Sequence, residues 1–555
     1  MSDGSVQRQR QGQPVVPVLQ EQRVGEILAA VPERGQWRYR PRRVGPLWRN
    51  RTLRVVAVFT LLALCGVVIL ALVRDQTGTE GFLVGLGLAV LPVPALMTAF
   101  RWLGRVAPGP WRNLLFAFAW GACAAALVAI LANSFATRWI ADTDPGNADT
   151  LGATVIAPVV EESAKAAAVL LLFLFRRREF TGIVDGVVAA GFTATGFAFT
   201  ENILYLGNAF GEDQQTGSAF ASVTVMTFLI RAVMTPFAHP LFTVLTGIGI
   251  GMAASTAPGR RARRIAAPLL GLFLAMGMHA LWNGSATFGT YGFYVVYGVF
   301  MVPVFGLVTW LAVRARRQEL RSLAVELPAY AEAGWISPAE PFALASMRAR
   351  ALARNAARRR YAAAGGAFGH PYPAHASPYA PAPAHAKHAK EAKEQGRAAA
   401  RTVAEYEAFA TSLAFLRRQA HRGTADPDFA ARELELLHHL WQRREVAGPA
   451  LAYAARATHR RPRGFPPPWP HHAYGTHPPG TGAPAPYPYG SPHPYGASPP
   501  YTAQPYGQQP QAQPYGQQPQ STPPYAPPYV PQPYGQPPYA GPPHAGPPHA
   551  GSPPA

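Results

Sequence analysis

Between Leu53 and Val313 the sequence is a succession of apolar runs, most near the ~20 residues that a bilayer core requires, separated by short polar loops. Inside lipid every backbone N–H and C=O must be satisfied within the protein, so runs of this length fold as helices. Five are plain, at about 53–73, 82–100, 114–135, 151–175 and 183–206. Arginines orient them. Arg101, Arg105 and Arg112 follow the second run and Arg176, Arg177 and Arg178 the fourth; Asp75 and Glu80, then Asp142, Asp144 and Asp149, then Glu212 and Asp213 hold the alternate loops. The Arg-rich loops are expected on the cytoplasmic side, and the N-terminus with them.

After the fifth run, residues 220–230 are apolar but short, and Arg231, Pro236 and His239 precede a second run to about 254. Were both pieces to cross, Arg260, Arg261, Arg263 and Arg264 would face outward, against the charge rule. One rule holds for every loop if 220–235 is interfacial or re-entrant and further spans run to about 254, over 265–282 and over 293–313, closed by Arg314, Arg316 and Arg317. The expected fold is all-α: a polytopic helix bundle of about eight spans plus that segment, covering 52–313, in the cell membrane with both termini cytoplasmic.

The flanking regions differ in composition. Residues 1–51 read as a basic cytoplasmic arm, and 314–363 and 391–447 as cytoplasmic helical segments with Leu, Ala, Glu and Arg at helical spacing. A Pro/His/Ala-rich linker is expected at 364–390, and 448–555 as a disordered Pro/Tyr/Gly/Gln-rich tail that cannot bury a core. The net charge of +21 does not point to nucleic acid, because the arginines sit in short clusters beside apolar runs. Cys65 and Cys123 each lie within an apolar run and form neither a disulfide framework nor a Cys-based metal site.

The fourth run is interrupted by Glu161, Glu162 and Lys165. Each ionisable side chain at the centre of a span costs about 2.5–3.5 kcal/mol, so three within two turns ask for roughly 8–10 kcal/mol unless paired or hydrated. Lys165 lies one turn beyond both carboxylates, at i,i+4 and i,i+3, and can neutralise one while leaving the other free. On the threading above, Glu161, Glu162, Glu201, His239 and His279 all fall in the outer half of the membrane, though only the arginines set the threading. These residues fit peptide hydrolysis: a carboxylate activates water, an imidazole or metal polarises the carbonyl, and carboxylate and imidazole are standard zinc ligands. They also fit a buried ion pair, a Glu201–Tyr205 hydrogen bond, a helix contact through His279 and Asn283, or a proton-coupled transporter or scaffold. Asp185 and Arg231 read as structural.

Glu161-Glu-x-x-Lys165, Phe197-x-x-x-Glu201-Asn202, His239 and His279-x-x-x-Asn283 resemble the motif series of the PrsW family of intramembrane proteases, over about 82–313. That family is more distantly similar to the CAAX prenyl endopeptidases. The resemblance implies an intramembrane endopeptidase that cuts a membrane-anchored protein, such as an anti-sigma factor, on the extracytoplasmic side. It implies a catalytic set of Glu161, Glu162, Lys165, Glu201, His239, His279 and Asn283, with Glu201, His239 and His279 facing a divalent metal, zinc by donor type. Glu201 stands where the prenyl endopeptidases have His, so a metal mechanism and a glutamate-activated water both stay open.

Overall fold

The structure, a computed structural model, describes residues 16–29, 51–142, 146–217, 223–257, 259–367, 382–423 and 428–458; the low-complexity tail from Pro462 and most of the expected linker lie outside them. No strand occurs among the described residues. The helices are α1 (Glu21–Ala29), α2 (Arg51–Val90), α3 (Val93–Leu103), α4 (Trp111–Ala141, with a π-turn at Trp120–Ala125) and α5 (Ala157–Phe175, led in by a π-turn at Gly152–Ile156). There follow α6 (Ile183–Thr216), α7 (Val223–Phe228, continued by a π-turn at Leu229–Met234), α8 (Ala238–Ala254), α9 (Arg261–Gly284) and α10 (Val302–Glu326). Outside the apolar region come α11 (Met347–Ala367), α12 (Ala382–His421) and α13 (Phe429–Ala457).

Among the described residues six helical stretches are long and apolar enough to cross a membrane: Leu53–Leu103, Trp111–Ala141, Ile183–Thr216, Val223–Ala254, Arg261–Gly284 and Tyr291–Glu332. The first holds two antiparallel passes. Gly78 takes φ 71°, which glycine adopts without Cβ strain, and the chain reverses there. Before it, Gly66 lies against Cys123; after it, Gly81 and Gly85 lie against Gly207 and Ile203, and Gly104 against Val188, so this half runs antiparallel to α6. Helix α5 is as apolar on average, but it carries three charges, Glu161, Glu162 and Lys165, and is not among these stretches.

Helix α6 is the axis of the bundle and is buried along most of its length. Glycine lets its neighbours approach backbone to backbone. A Cβ on Gly121 would stand 1.9 Å from the Thr193 carbonyl oxygen, and one on Gly186 would stand 2.0 Å from that of Gly247. Where lipid is as apolar as leucine, such close contact is a main source of helix association.

Residues 223–254 make one descent along α6. Asp213 accepts from the backbone N–H groups of Val223 and Thr224, Arg231 bonds Glu201 and Asn202, and Gly247 and Gly251 meet Gly186 and Ile183. The segment expected to be interfacial or re-entrant is thus packed on the far part of α6 and leads straight into α8, with a break at Thr235. Of its polar residues, Thr224 and Arg231 find partners on α6. Helix α6 itself runs ten residues past the Leu206 at which its apolar run stops, to Thr216.

The arginine-rich loops gather at the opposite end. Arg101 lies over the ring of Trp111, Arg316 over that of Trp102, and Asn113 bonds Glu179. Against this end packs a second core built from 16–29, the end of α10, and α11–α13, with Leu323, Tyr330, Tyr406, Leu413, Leu440 and Leu451 fully buried. The two helical segments expected apart therefore share one core. Helix α12 starts at Ala382, inside the stretch read as linker, and α13 runs to Ala457, past 447, where Ala450, Leu451 and Ala454 lie in that core. Arg350 joins the layers: its guanidinium donates to the backbone oxygens of Val106 and Leu344 and to Thr411 Oγ1, at 3.0, 2.7 and 2.9 Å.

Candidate active site

Helical spacing sets the first layer. On α5, Lys165 Nζ reaches Glu162 Oε1 at 2.8 Å and Glu161 Oε2 at 3.3 Å. The lysine therefore bridges both carboxylates, where the spacing alone allowed it to hold one and leave the other free. It also lies 3.2 Å from His239 Nδ1 and 3.8 Å from the centroid of the Phe197 ring. Charge, hydrogen bonds and a π-face together offset the desolvation of an ammonium with no exposed surface.

The two glutamates differ in surroundings. Glu162 is 0 % exposed and its carboxylate is fully engaged, accepting from Lys165, from Thr243 Oγ1 at 2.8 Å and facing His279 Nδ1 at 3.2 Å. Glu161 is 6 % exposed, has the longer lysine contact and a 3.4 Å contact from Asn133 Nδ2, and lines a cavity of about 220 Å³. Phe197, Glu201, Tyr205, Asn133 and Gln76 share that cavity. Phe197 and Glu201 both face it because they stand one turn apart on α6.

Each histidine has a carboxylate behind it. His239 Nε2 is 2.5 Å from Glu201 Oε2, and Glu201 also accepts from Arg231 at 2.7 Å. With Nε2–H directed to that carboxylate, Nδ1 carries the lone pair that meets Lys165. His279 Nδ1 faces Glu162, which leaves Nε2 turned towards Glu161, 3.9 Å away. Phe242 stacks on the His279 ring at 4.9 Å, and the two imidazoles stand perpendicular with centroids 5.5 Å apart.

Ligand atoms of Glu161, His239 and His279 lie within 4.8 Å of one another, so these three residues could hold a metal ion. The donor set is that of a zinc site, one carboxylate and two imidazoles, and in this structure the cation among them is the lysine ammonium. Glu201, expected among the ligands, instead sits behind His239, because Arg231 and the imidazole occupy its carboxylate.

Asn283 is not brought into the cluster. Its amide donates to the Ala153 carbonyl at 2.8 Å and so ties α9 to the lead-in of α5, the helix contact its spacing also allowed. Asp185 accepts from the Thr181 backbone and hydroxyl at the start of α6. Sixteen residues, about 24 Å of helix, separate it from Glu201. Arg231, read as structural at the membrane edge, proves to be the partner of Glu201 and Asn202 and lies 3.9 Å over the Tyr205 ring. Thr243 could have been found from its place one turn after His239; Asn133 carries no signal beyond being an amide in an apolar run.

Two comparisons with known proteins point to the same kind of protease. A sequence profile described as PrsW family intramembrane metalloprotease matches residues 109–308. The Protease PrsW of Clostridioides difficile (strain 630) is similar at 27% identity over 161 residues, which is 29% of this chain and 62% of the relative's length. No solved structure matches the chain. The matched residues span α4 to the start of α10 and so contain the whole cluster around Lys165. Over residues 109–308 this chain is similar to the PrsW family of intramembrane metalloproteases.

Proposed function

We propose that the chain is an intramembrane endopeptidase that hydrolyses a peptide bond of a membrane-anchored protein, with Glu161, Glu162, Lys165, Glu201, His239 and His279 as its machinery. The observation that carries this reading is the pairing of two buried imidazoles, each backed by a carboxylate, beside a third carboxylate, Glu161, that opens to a cavity. Glu161 takes the proton of the attacking water, since it lines the cavity and Glu162, wholly buried, does not. Glu162 and Glu201 hold the tautomers and orientations of His279 and His239, as carboxylates commonly do behind such rings. Arg231 fixes Glu201 in turn. Lys165 offsets the charge of the paired glutamates and stabilises the anion that develops on the carbonyl oxygen.

A divalent metal held by Glu161, His239 and His279 would supply a Lewis acid for the scissile carbonyl. The Arg-rich end faces the cytoplasm in the cell membrane on this reading, which puts the cleavage in the extracytoplasmic half and both termini inside. The substrate class that the motif series implies is a membrane-anchored regulator such as an anti-sigma factor. A proton relay is less well supported, because the polar residues on α6 between Glu201 and Asp185, namely Thr193, Thr195 and Thr200, bond backbone carbonyls.

The test is to incubate the purified chain in lipid nanodiscs with candidate membrane-anchored regulators, with and without chelator. Cleavage that Glu161→Gln abolishes at equal membrane content supports the reading. Unchanged cleavage in the Gln variant, or none of any candidate together with substrate-driven proton movement across proteoliposomes, overturns it.

A further inference from the structure

At the Arg-rich end, between the membrane bundle and the core of α11–α13, lies a cavity of about 370 Å³. Its walls come from the end of α5, the first turn of α6, the last turn of α8, the first turn of α9, and from α12 and α13. Four apolar helices begin or end around it, which sets it at the level of a membrane surface.

Three arginines line it, Arg177, Arg264 and Arg432, against two acids, Glu179 and Asp185. Both acids are engaged on the wall: Glu179 accepts from Asn113 at 2.6 Å and Asp185 from Thr181 at 2.7 and 2.8 Å. Arg264 and Arg177, by contrast, have no carboxylate partner among the described residues, and Arg177 lies over the Phe173 ring. Guanidinium groups from three separate elements line one cavity larger than a phosphate, and the guanidinium fork is the side-chain shape that phosphate oxygens fit. The rest of the wall mixes apolar side chains, among them Phe173, Phe180 and Leu416, with the polar Thr256, Ser412 and Gln419.

We propose that this cavity binds a phosphate group, carried either by an anionic phospholipid headgroup at the bilayer surface or by a soluble phosphate. Its occupant would touch α5 and α12 at once. The membrane region and the outer helical core would thus be joined through a ligand as well as through Arg350.

Thermal unfolding of the purified full chain, in a zwitterionic detergent, tests the site with three probes: phosphatidylglycerol, phosphatidylcholine and inorganic phosphate. Phosphatidylglycerol, inorganic phosphate or both should raise the midpoint by about 2–5 °C while phosphatidylcholine does not. A shift by the lipid alone identifies the headgroup as the source, and a shift by phosphate alone identifies the soluble anion. The shift should vanish in Arg177→Ala/Arg264→Ala and in Ala408→Trp, which fills the cavity, and persist in Arg261→Ala on the exposed side of α9. If the double variant does not fold, Ala408→Trp decides alone. No shift in the native chain, or one that survives in the cavity variants, overturns the proposal.

Discussion

Glu201 and His239 stand 2.5 Å apart, Oε2 to Nε2, although 38 positions and a break in the helix separate them in the chain. The contact fixes which ring nitrogen of His239 is free to act. It also engages Glu201, which lines the cavity and has Arg231 as its other neighbour. The outcomes below follow from the proposed division between groups that act on the substrate and groups that hold them.

Glu161 and Glu162 are adjacent in sequence yet should fail differently. Glu161→Gln is expected to insert normally and lose about 10²–10⁴-fold in cleavage rate, since an amide has no comparable basicity. Glu162→Gln leaves Lys165 with the longer of its two ion pairs and should cost several kcal/mol of stability, on the order of 3–5. Measuring membrane content and rate together separates the two. Equal behaviour of both variants would dismiss the assignment.

Arg231 should act through His239. Arg231→Gln is expected to lower the cleavage rate about 10–100-fold, the usual cost of losing an orienting partner. Arg231→Lys, which keeps a charge for Glu201 but not the Nε contact to Asn202, should lie between that variant and the native chain. The informative readout is kcat against KM: a substrate-binding role would raise KM alone.

Metal content distinguishes Glu161 from Glu201 as a ligand. In chain loaded with zinc, Glu161→Gln, His239→Ala and His279→Ala should each lose stoichiometric metal by elemental analysis. Glu201→Gln should keep it with an affinity lowered about 10–100-fold. The reverse order for the two glutamates would restore Glu201 to the ligand set.

Close helix contacts through glycine should be intolerant of any side chain. Gly186→Leu would drive its side chain into the Gly247 backbone and is expected to cost more than the roughly 1–3 kcal/mol of ordinary overpacking. Gly277→Leu, with nothing within 4 Å of its Cβ position, should be neutral. Folded yield in detergent, read by size-exclusion profile, compares them.

Outside the membrane, burial pushes the Glu407 carboxyl up to about 7 despite Arg354 at 2.6 Å and Arg350 nearby. A raised folded pKa means that the folded state keeps a proton which the unfolded chain releases near 4.5. The stabilisation is therefore complete below about pH 4.5 and fades as pH rises through about 7. The α11–α13 core should unfold at a lower temperature at pH 8 than at pH 6, and Glu407→Gln should flatten that difference. An unchanged pH profile in the variant would show that the dependence lies elsewhere.

Apolar run length and arginine placement determined by themselves that the chain is a helical membrane bundle, because the cost of burying unpaired backbone and charge in lipid is the same in every context. The i,i+3 and i,i+4 spacing of Glu161, Glu162 and Lys165 likewise required a contact within one helix. The ordered motifs were enough to suggest the family. What only the tertiary structure decided was the identity of partners across helices. That Glu201 meets Arg231 and His239, that Asn283 meets the Ala153 carbonyl, and that Glu161 lines the cavity depend on how α6, α8 and α9 are rotated about their axes. That rotation is set by glycine contacts such as Gly186–Gly247 and Gly121–Thr193, short-range fits between backbones that leave no periodic mark in a run that is apolar on every side. The shared core of α1 and α11–α13 was hidden for a related reason. Each segment shows an amphipathic pattern, but a pattern names a face that will be covered, and packing alone says by what.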